Sequence, residues 1–224
     1  MAPRRSHLEH VSRKIFEIFT SAYTPDMAKQ SRGEATVERL LAAALEVFST
    51  SGQAGLTVHA VTKASGVSLG SLYHHFGSLD GLAAALYGAC LQQTYAEALG
   101  AVDRARTART GIRAFVTTYL RFIQENPAVA RYLHGSAYSS YLAVDADRAR
   151  GVEPDHFPRV ADHLRRWTAT GEIAAIPDPL LEVLIVGPVA VTAHRWLAAP
   201  EDITLDQAAR VLSDRIWASV AAAH

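Results

Sequence analysis

Residues 57–76 read TVHAVTKASGVSLGSLYHHF, and they decide the fold because they encode two short helices around a tight turn. Thr57 and Ser68 are predicted N-caps, since their hydroxyls accept hydrogen bonds from the amides of a helical first turn. Gly66 is predicted to end the first helix, because glycine adopts the left-handed conformation without a side-chain clash. This spacing is typical of a helix-turn-helix motif.

The second helix of the motif has two different faces. Leu72 and Phe76 are four residues apart and share one face, so we expect them to hold the helix against its own domain. The helix N-terminus favours phosphate oxygens, and the opposite face carries groups that can contact DNA. These candidates are Leu69, Gly70, Ser71, Tyr73, His74 and His75.

The motif resembles the signature of the tetracycline-repressor (TetR) family of bacterial transcription regulators. The matching residues are Thr57, Ala64, Gly66-Val67-Ser68 and residues 70–76, GSLYHHF. The resemblance implies an all-α fold in which a three-helix DNA-binding domain precedes a helical ligand-binding and dimerisation domain. It also implies that a homodimer binds a double-stranded DNA operator and that a small-molecule effector releases it, as in a repressor.

The resemblance also implies a role for each position of the motif. Thr57 would bind a phosphate, and His59 would face the groove from the first helix. Residues 69–71 would approach the bases, and Tyr73 and His74 would contact the backbone or base edges. The full set of predicted DNA-binding residues is Thr57, His59, Ser68, Leu69, Gly70, Ser71, Tyr73, His74 and His75.

Two positions depart from the family pattern. Leu79 and Asp80 follow Ser78 where the family usually has a lysine after the serine, so one phosphate contact is expected to be absent. Leu69 stands where the family often has a polar or basic side chain. Any contact that Leu69 makes with a base has to be apolar.

Composition gives little independent support for DNA binding. The 224 residues are 49% hydrophobic and 20% charged with a formal net charge of zero, which is ordinary for globular proteins. Residues 1–76 contain eight Lys or Arg residues and six acids. We therefore expect the affinity for DNA to depend only modestly on salt.

The single cysteine, Cys90, excludes an internal disulfide and suits a reducing cytoplasm, where we expect the protein to be located. Its predicted role is helix packing, and a redox sensor is the alternative. No segment is expected to span a membrane, because Glu182 interrupts the best apolar run at residues 180–191. We therefore expect no membrane partner.

Helical periodicity continues through the rest of the chain. The helix before the motif, residues 37–48, is expected to stop at Ser51-Gly52, and a longer helix is expected to run from Ser78 to Leu99. The predicted domains are an N-terminal extension at residues 1–30, the DNA-binding domain at 31–78, and the ligand-binding and dimerisation domain at 79–224.

The extension at residues 1–30 is predicted to form an amphipathic helix, and Arg4 and Arg5 precede its apolar face. Three interpretations remain open. The segment is an added helix packed on its own or the partner subunit, a basic arm near the minor groove, or a disordered or mis-started leader.

Two helices near the C-terminus have broad apolar faces. They cover residues 180–196, where Gly187-Pro188 is expected to interrupt the helix, and residues 205–220. Because a monomer of this length would hardly bury both faces, we expect a homodimer that forms through them. The alternative is that both helices complete the core of a monomer.

Aromatic residues with a few polar tips indicate a pocket for an effector that is partly aromatic or apolar. Each of them is also compatible with ordinary core packing, and Tyr132 is a further candidate of this kind. The predicted ligand-binding residues are Phe115, Tyr119, Phe122, His134, Tyr138, Tyr141, His163 and Trp167.

The ten histidines raise the question of an enzyme. His74 and His75 are adjacent and cannot converge from one helix, and no His-x-x-x-His pair has a nearby acid. Neither a Gly-rich phosphate loop nor a serine nucleophile elbow is present. We predict no catalytic residue, no metal site and no cofactor. The alternatives are a small helical-bundle enzyme and a ligand-binding protein without a DNA function.

Overall fold

The computed structural model describes residues 30–135 and 156–223, and the predicted all-α fold is confirmed: these residues form nine helices and no strand. The extension before residue 30, the polar stretch at 145–154, Tyr138 and Tyr141 lie outside the described residues. The helices are α1 (Gln30–Gly55), α2 (Val58–Ser65), α3 (Leu69–Phe76), α4 (Leu79–Val102), α5 (Ala108–Glu125), α6 (Pro127–Gly135), α7 (His156–Ala169), α8 (Asp178–Ala198) and α9 (Leu205–Val220).

The predicted end of the helix at Ser51-Gly52 is confirmed, because Gly52 has the non-helical angles φ 66° and ψ −167° and α1 is kinked there. Glycine adopts this conformation because it has no Cβ, and a short helical segment continues to Gly55. The predicted interruption at Gly187-Pro188 is wrong. Helix α8 runs through Pro188. A proline removes one backbone hydrogen bond but leaves those of the neighbouring turns, so α8 persists on both sides of it. The predicted helix at residues 205–220 is confirmed as α9.

The chain forms two compact units, and each unit combines two separate stretches of the sequence. The described part of unit 1 is residues 30–93 and 131–135, and that of unit 2 is residues 94–130 and 156–223. Helices α4 and α6 therefore each contribute residues to both units. The domain boundaries predicted from sequence stay a prediction.

Unit 1 is built on the apolar face of α1, which packs against α2. Leu40 and Leu41 are fully buried there. Tyr132, near the end of α6, places its ring edge-to-face against Phe48 with the centroids 4.8 Å apart. Its hydroxyl donates a hydrogen bond to the carbonyl of Ala83 in α4 at 2.8 Å. Tyr132, a candidate ligand contact from sequence, is thus part of the core of unit 1.

Cys90 lies on α4 and is completely buried. Burial raises the pKa of its thiol far above the ordinary value. The thiolate is the form that reacts with oxidants. The geometry therefore supports the packing interpretation of Cys90 over the redox-sensor one.

Unit 2 is organised around α5, which packs against α8 and α9. A reciprocal capping box between Thr107 and Thr110 begins α5. The carboxylate of Glu172 accepts a hydrogen bond from the N–H of Ala108 at 2.7 Å, which satisfies another amide of the same first turn. The start of α5 is thereby tied to a residue 64 positions further along the chain.

Helix α8 requires a correction to the sequence reading. It has 21 residues and, by length and composition alone, is long and apolar enough to cross a membrane. Glu182 interrupts the apolar run at residues 180–191, but the helix that contains this run is longer and extends from Asp178 to Ala198. This property is weak evidence for a membrane, since core helices of soluble proteins share it. Its side chains Leu180, Val183 and Val191 are exposed, as is Val211 of α9.

Candidate nucleic-acid interface and ligand cavity

Two side-chain caps and one left-handed glycine set the turn between α2 and α3. The hydroxyl oxygen of Thr57 accepts a hydrogen bond from the N–H of Ala60, and that of Ser68 accepts one from Ser71, both at 3.2 Å. Gly66 ends α2 with φ 66° and ψ 15°. The predicted caps and the predicted turn are confirmed. Each hydroxyl still carries a hydrogen that it can donate to a phosphate.

The apolar side chains of the motif are buried in unit 1. Val61 and Leu72 have no exposed surface, and Leu56 and Val67 are nearly as enclosed. The face of α3 that was expected to hold the helix in place is therefore confirmed at Leu72. Because Leu72 is fixed, the opposite side of α3 has to face solvent.

The solvent face of α3 carries a mixed set of side chains. Leu69 and Tyr73 are one helical turn apart and have exposed fractions of 53% and 48%. The ring of His75 is half-buried, and its Cε1 lies 3.8 Å from the point that a Cβ on Gly33 would occupy, so it faces α1. Of the other predicted DNA-binding residues, Ser71 is half-buried, and Thr57, His59, Ser68, Gly70 and His74 are exposed.

Gly70 has no structural reason to be glycine. A Cβ built on it would meet nothing within 4 Å, and its backbone is helical. Glycine inside a helix destabilises it by about 0.5–1 kcal/mol relative to alanine. The bare backbone at Gly70 therefore lowers the stability of α3 and leaves room for a close approach to the helix.

Positive charge is sparse around this face. Helix α3 contains neither lysine nor arginine, and Lys63 lies in the last turn of α2. The guanidinium of Arg39 on α1 is 3.4 Å from the carbonyl of Ala35 in its own helix. Hydroxyl, imidazole and backbone N–H groups are therefore the main donors that the motif offers to phosphates.

Unit 2 contains a small cavity of about 30 Å³, which lies in a cleft partly open to solvent. Its wall is apolar. Gly111 admits the ring of Trp167, because a Cβ at Gly111 would lie 2.4 Å from two atoms of that ring. The lining residues are Leu99, Val102, Gly111, Ile112, Phe115, Val160, His163, Leu164, Trp167, Glu182, Ile185 and Val186.

Three predicted ligand-binding residues, Phe115, His163 and Trp167, meet at this cavity. Tyr119 and Phe122 are buried on α5 without lining it, and Tyr119 packs edge-to-face on Tyr95 at 6.3 Å. His134 belongs to unit 1 and is not among the residues that line the cavity. The aliphatic lining residues could not be identified from the sequence. Leu, Ile and Val at helical spacing are as typical of a packed helical core as of a cavity wall.

Glu182 is the one acid among the lining residues. It is half-buried on α8, and burial raises the pKa of its carboxyl above the usual value. The position was read from sequence only as an interruption of an apolar run. Its place beside the cavity follows from the packing of α8 on α5.

A chain of polar contacts fixes the His163 side of the cavity. Nδ1 of His163 lies 2.9 Å from an Nη of Arg166, and Nε2 lies 2.9 Å from Oδ1 of Asp103. The other carboxylate oxygen of Asp103 accepts a hydrogen bond from Arg159 at 2.6 Å. Arg166 also lies over the ring of Trp167, 5.9 Å from its centroid.

Comparisons with known proteins agree with this geometry. Residues 40–86 match the family model described as bacterial regulatory proteins, tetR family. A curated relative, the nucleoid occlusion factor SlmA of Glaesserella parasuis serovar 5 (strain SH0165), is 34% identical over 89 residues. That match covers 40% of this chain and 44% of SlmA, less than half the length of either protein.

Two solved structures extend the likeness to most of the chain. A putative TetR-family transcriptional regulator from Rhodococcus sp. is 26% identical, with a TM-score of 0.64 over 81% of this chain and 96% of its own. The regulator FadR of Bacillus subtilis in complex with stearoyl-CoA shares the fold at 16% identity, with a TM-score of 0.67 over 80% and 96% of the two chains. Residues 40–86 therefore carry the helix-turn-helix domain of the tetR family of bacterial regulatory proteins, and the chain resembles TetR-family transcription regulators over most of its length.

Proposed function

We propose that this protein is a cytoplasmic homodimeric repressor, rather than an enzyme, and that a small molecule releases it from a palindromic operator. The observation that carries the proposal is the exposed face of α3, which combines Leu69, Gly70 and Tyr73 around a capped helix start. The effector is apolar or partly aromatic and binds in the cavity of unit 2.

The proposed DNA contacts come from the exposed side of the motif. Thr57 and Ser68 donate their hydroxyl hydrogens to phosphates, and the first turn of α3 adds backbone N–H groups. Gly70 lets the backbone approach the base edges, while Tyr73 and His74 reach the groove or its phosphates. His59 contributes from α2.

A dimer accounts for the sparse positive charge of each motif. Two weakly binding motifs held about 34–36 Å apart contact successive turns of the major groove, and their linkage multiplies the separate affinities. The proposed dimer surface is the exposed apolar part of α8 and α9, where Val183 and Val191 have exposed fractions of 64% and 68%. The same surface explains why α8 is so apolar without a membrane partner.

The apolar wall of the cavity supports an effector that is recognised through its hydrocarbon or aromatic part. Phe115 and Trp167 provide two aromatic rings, and Ile112, Leu164 and Ile185 provide aliphatic surface. The likeness of fold to FadR with stearoyl-CoA makes acyl chains reasonable first probes.

Helix α4 contributes residues to both units, and this suggests how the effector acts on DNA binding. Leu99 and Val102 line the cavity at the end of α4, and the first part of α4 belongs to unit 1. We propose that a bound effector displaces the end of α4 and thereby changes the spacing of the two α3 helices in the dimer. A coupling free energy of about 1–3 kcal/mol is sufficient for such a switch.

Selection of random double-stranded DNA by the purified full-length protein tests the DNA function. We expect a palindromic sequence to be enriched, and Tyr73→Phe with His74→Ala to lose specific binding while the dimer stays intact. The variant Arg121→Ala with Gln124→Ala, on the exposed side of α5, is the matched control. Retention of operator binding by the Tyr73/His74 variant contradicts the contact assignment.

Stearoyl-CoA, stearate and naphthalene are suitable probes for the effector site. We expect one of these probes to lower the affinity for the selected operator, and the operator to lower the affinity for that probe by the same factor. A probe that binds unit 2 and leaves the operator affinity unchanged contradicts the proposed mechanism.

A further inference from the structure

The solvent face of α3 lacks the side chains that usually read bases through paired hydrogen bonds. Specific contacts with guanine come mostly from Arg or Lys and those with adenine from Asn or Gln, and the sequence of α3, LGSLYHHF, contains none of these four. A motif of this composition has to distinguish bases largely by another property.

Leu69 offers that property. It is the first residue of α3, directly after the cap Ser68, and more than half of its side chain is exposed. The first residues of a recognition helix are those that enter the major groove furthest. Gly70 beside it has no side chain to hold the helix away from the base pairs.

We infer that Leu69 reads the C5-methyl group of a thymine, so that each operator half-site contains one thymine whose methyl group is required. The major groove carries one apolar group on the natural base pairs, the methyl of thymine. Uracil and cytosine lack this methyl, and 5-methylcytosine presents it at the same place in the groove. The inference rests on the proposed DNA function and names the base feature that this function depends on.

Removal of a single methyl group from the DNA tests the inference directly. The DNA is the selected operator, and each thymine in turn is replaced by deoxyuridine, which keeps the Watson–Crick hydrogen bonds and removes only the methyl. We expect one position per half-site at which this change weakens binding about fourfold, and about fifteenfold when both half-sites are changed. Fluorescence anisotropy at fixed salt measures the affinity.

Two protein variants assign the effect to Leu69. In Leu69→Ala the deoxyuridine change at that position is expected to have no effect, because the apolar partner is gone. Leu69→Met keeps an apolar side chain of similar size and is expected to keep the fourfold loss. Because Leu69 is exposed, its truncation leaves no cavity, and circular dichroism checks that both variants are folded.

The opposite change gives an independent test at the same position. Replacing the T·A pair by C·G is expected to weaken binding, and 5-methylcytosine in that pair should recover about fourfold of the loss with the natural protein but not with Leu69→Ala. A methyl effect that persists in Leu69→Ala and disappears in Tyr73→Ala overturns the inference.

The outcomes separate this inference from the proposed function. If the protein binds its operator specifically and deoxyuridine has no effect at any position, the role of Leu69 is overturned and the DNA function stands. If selection enriches no sequence and no specific complex forms, the proposed function itself fails, and the inference fails with it.

Discussion

Nε2 of His163 lies 2.9 Å from Oδ1 of Asp103, the residue that directly follows α4. Because a guanidinium has only donors, the contact with Arg166 requires Nδ1 of His163 to accept, and the Nε2–H then donates a hydrogen bond to Oδ1 of Asp103. The ring of His163, part of the cavity wall, is thereby fixed in one orientation and joined to the end of α4.

Asp103→Asn is expected to weaken the link between the cavity and α4. Both carboxylate contacts are partly exposed, so we expect the free energy of unfolding to fall by no more than about 1 kcal/mol. The factor by which the releasing probe lowers operator affinity should shrink severalfold, while operator affinity without the probe stays unchanged. Titration of the operator with and without the probe measures this, and an unchanged factor excludes the link.

Gly111→Ala and Gly100→Ala form a matched pair that tests the packing of unit 2. The new Cβ at Gly111 would lie 2.4 Å from the Trp167 ring, whereas a Cβ at Gly100 meets nothing within 4 Å. We expect Gly111→Ala to lower the free energy of unfolding by roughly 1–3 kcal/mol. Gly100→Ala, inside α4, is expected to raise it by about 0.5–1 kcal/mol. Urea denaturation measures both, and equal effects would contradict the contact.

Gly70→Ala is expected to change stability and DNA binding in opposite directions. The helix gains about 0.5–1 kcal/mol because alanine is the better helix former and the space around it is open. Operator affinity should fall about tenfold, because a contact that depends on the bare backbone is lost, and one tenfold step corresponds to about 1.4 kcal/mol. Thermal denaturation and anisotropy give the two values; an unchanged affinity shows that DNA does not approach this position closely.

Val183→Glu with Val191→Glu tests the proposed dimer surface on α8. Two carboxylates in an apolar interface are expected to dissociate the dimer at micromolar protein concentration, since buried charges without partners are costly. Light scattering after gel filtration measures the mass. Gln124→Glu on the exposed side of α5 is the control that adds charge elsewhere, and a dimer that survives the α8 substitutions must form through another surface.

Glu38→Gln is expected to stabilise unit 1 at neutral pH and to have no such effect in acid. Burial, with a smaller contribution from Glu34, raises the pKa of Glu38 above its ordinary value of 4.5. Because the pKa of Glu38 is higher in the folded state, its protonation contributes to the free energy of unfolding at pH values below the unfolded-state pKa. This contribution is lost as the pH rises through the folded-state pKa. Glutamine mimics the protonated form, so the gain should appear above that pKa and vanish below pH 4.5. Urea denaturation at pH 4 and pH 7 checks the sign.

The DNA-binding motif could be predicted because its information is local. Thr57, Ser68 and Gly66 act within four residues of their own positions, through caps and a left-handed turn. Leu72 could be assigned to the core from its four-residue spacing with Phe76. Such short-range patterns survive in any tertiary context that keeps the helices.

The lining of the cavity in unit 2 could be predicted only in part, because aromatic residues are equally common in cavity walls and in packed cores. Phe115, His163 and Trp167 line the cavity, whereas Tyr119 and Phe122 lie buried beside other side chains. The polar tip of Tyr132 suggested a ligand contact, yet its hydroxyl is used by the Ala83 carbonyl. Nothing in the local sequence distinguishes these outcomes.

The sequence by itself determined the helices, the sharp turn after α2 and the face of α3 that is turned to solvent, since caps, glycine conformations and helical periodicity act over a few residues. Only the tertiary structure decided where the cavity lies and what surrounds it. The partners there are far apart in the chain: Asp103 and His163 are 60 positions apart, and Ala108 and Glu172 are 64. Contacts at such separations depend on how whole helices pack, which no local pattern encodes.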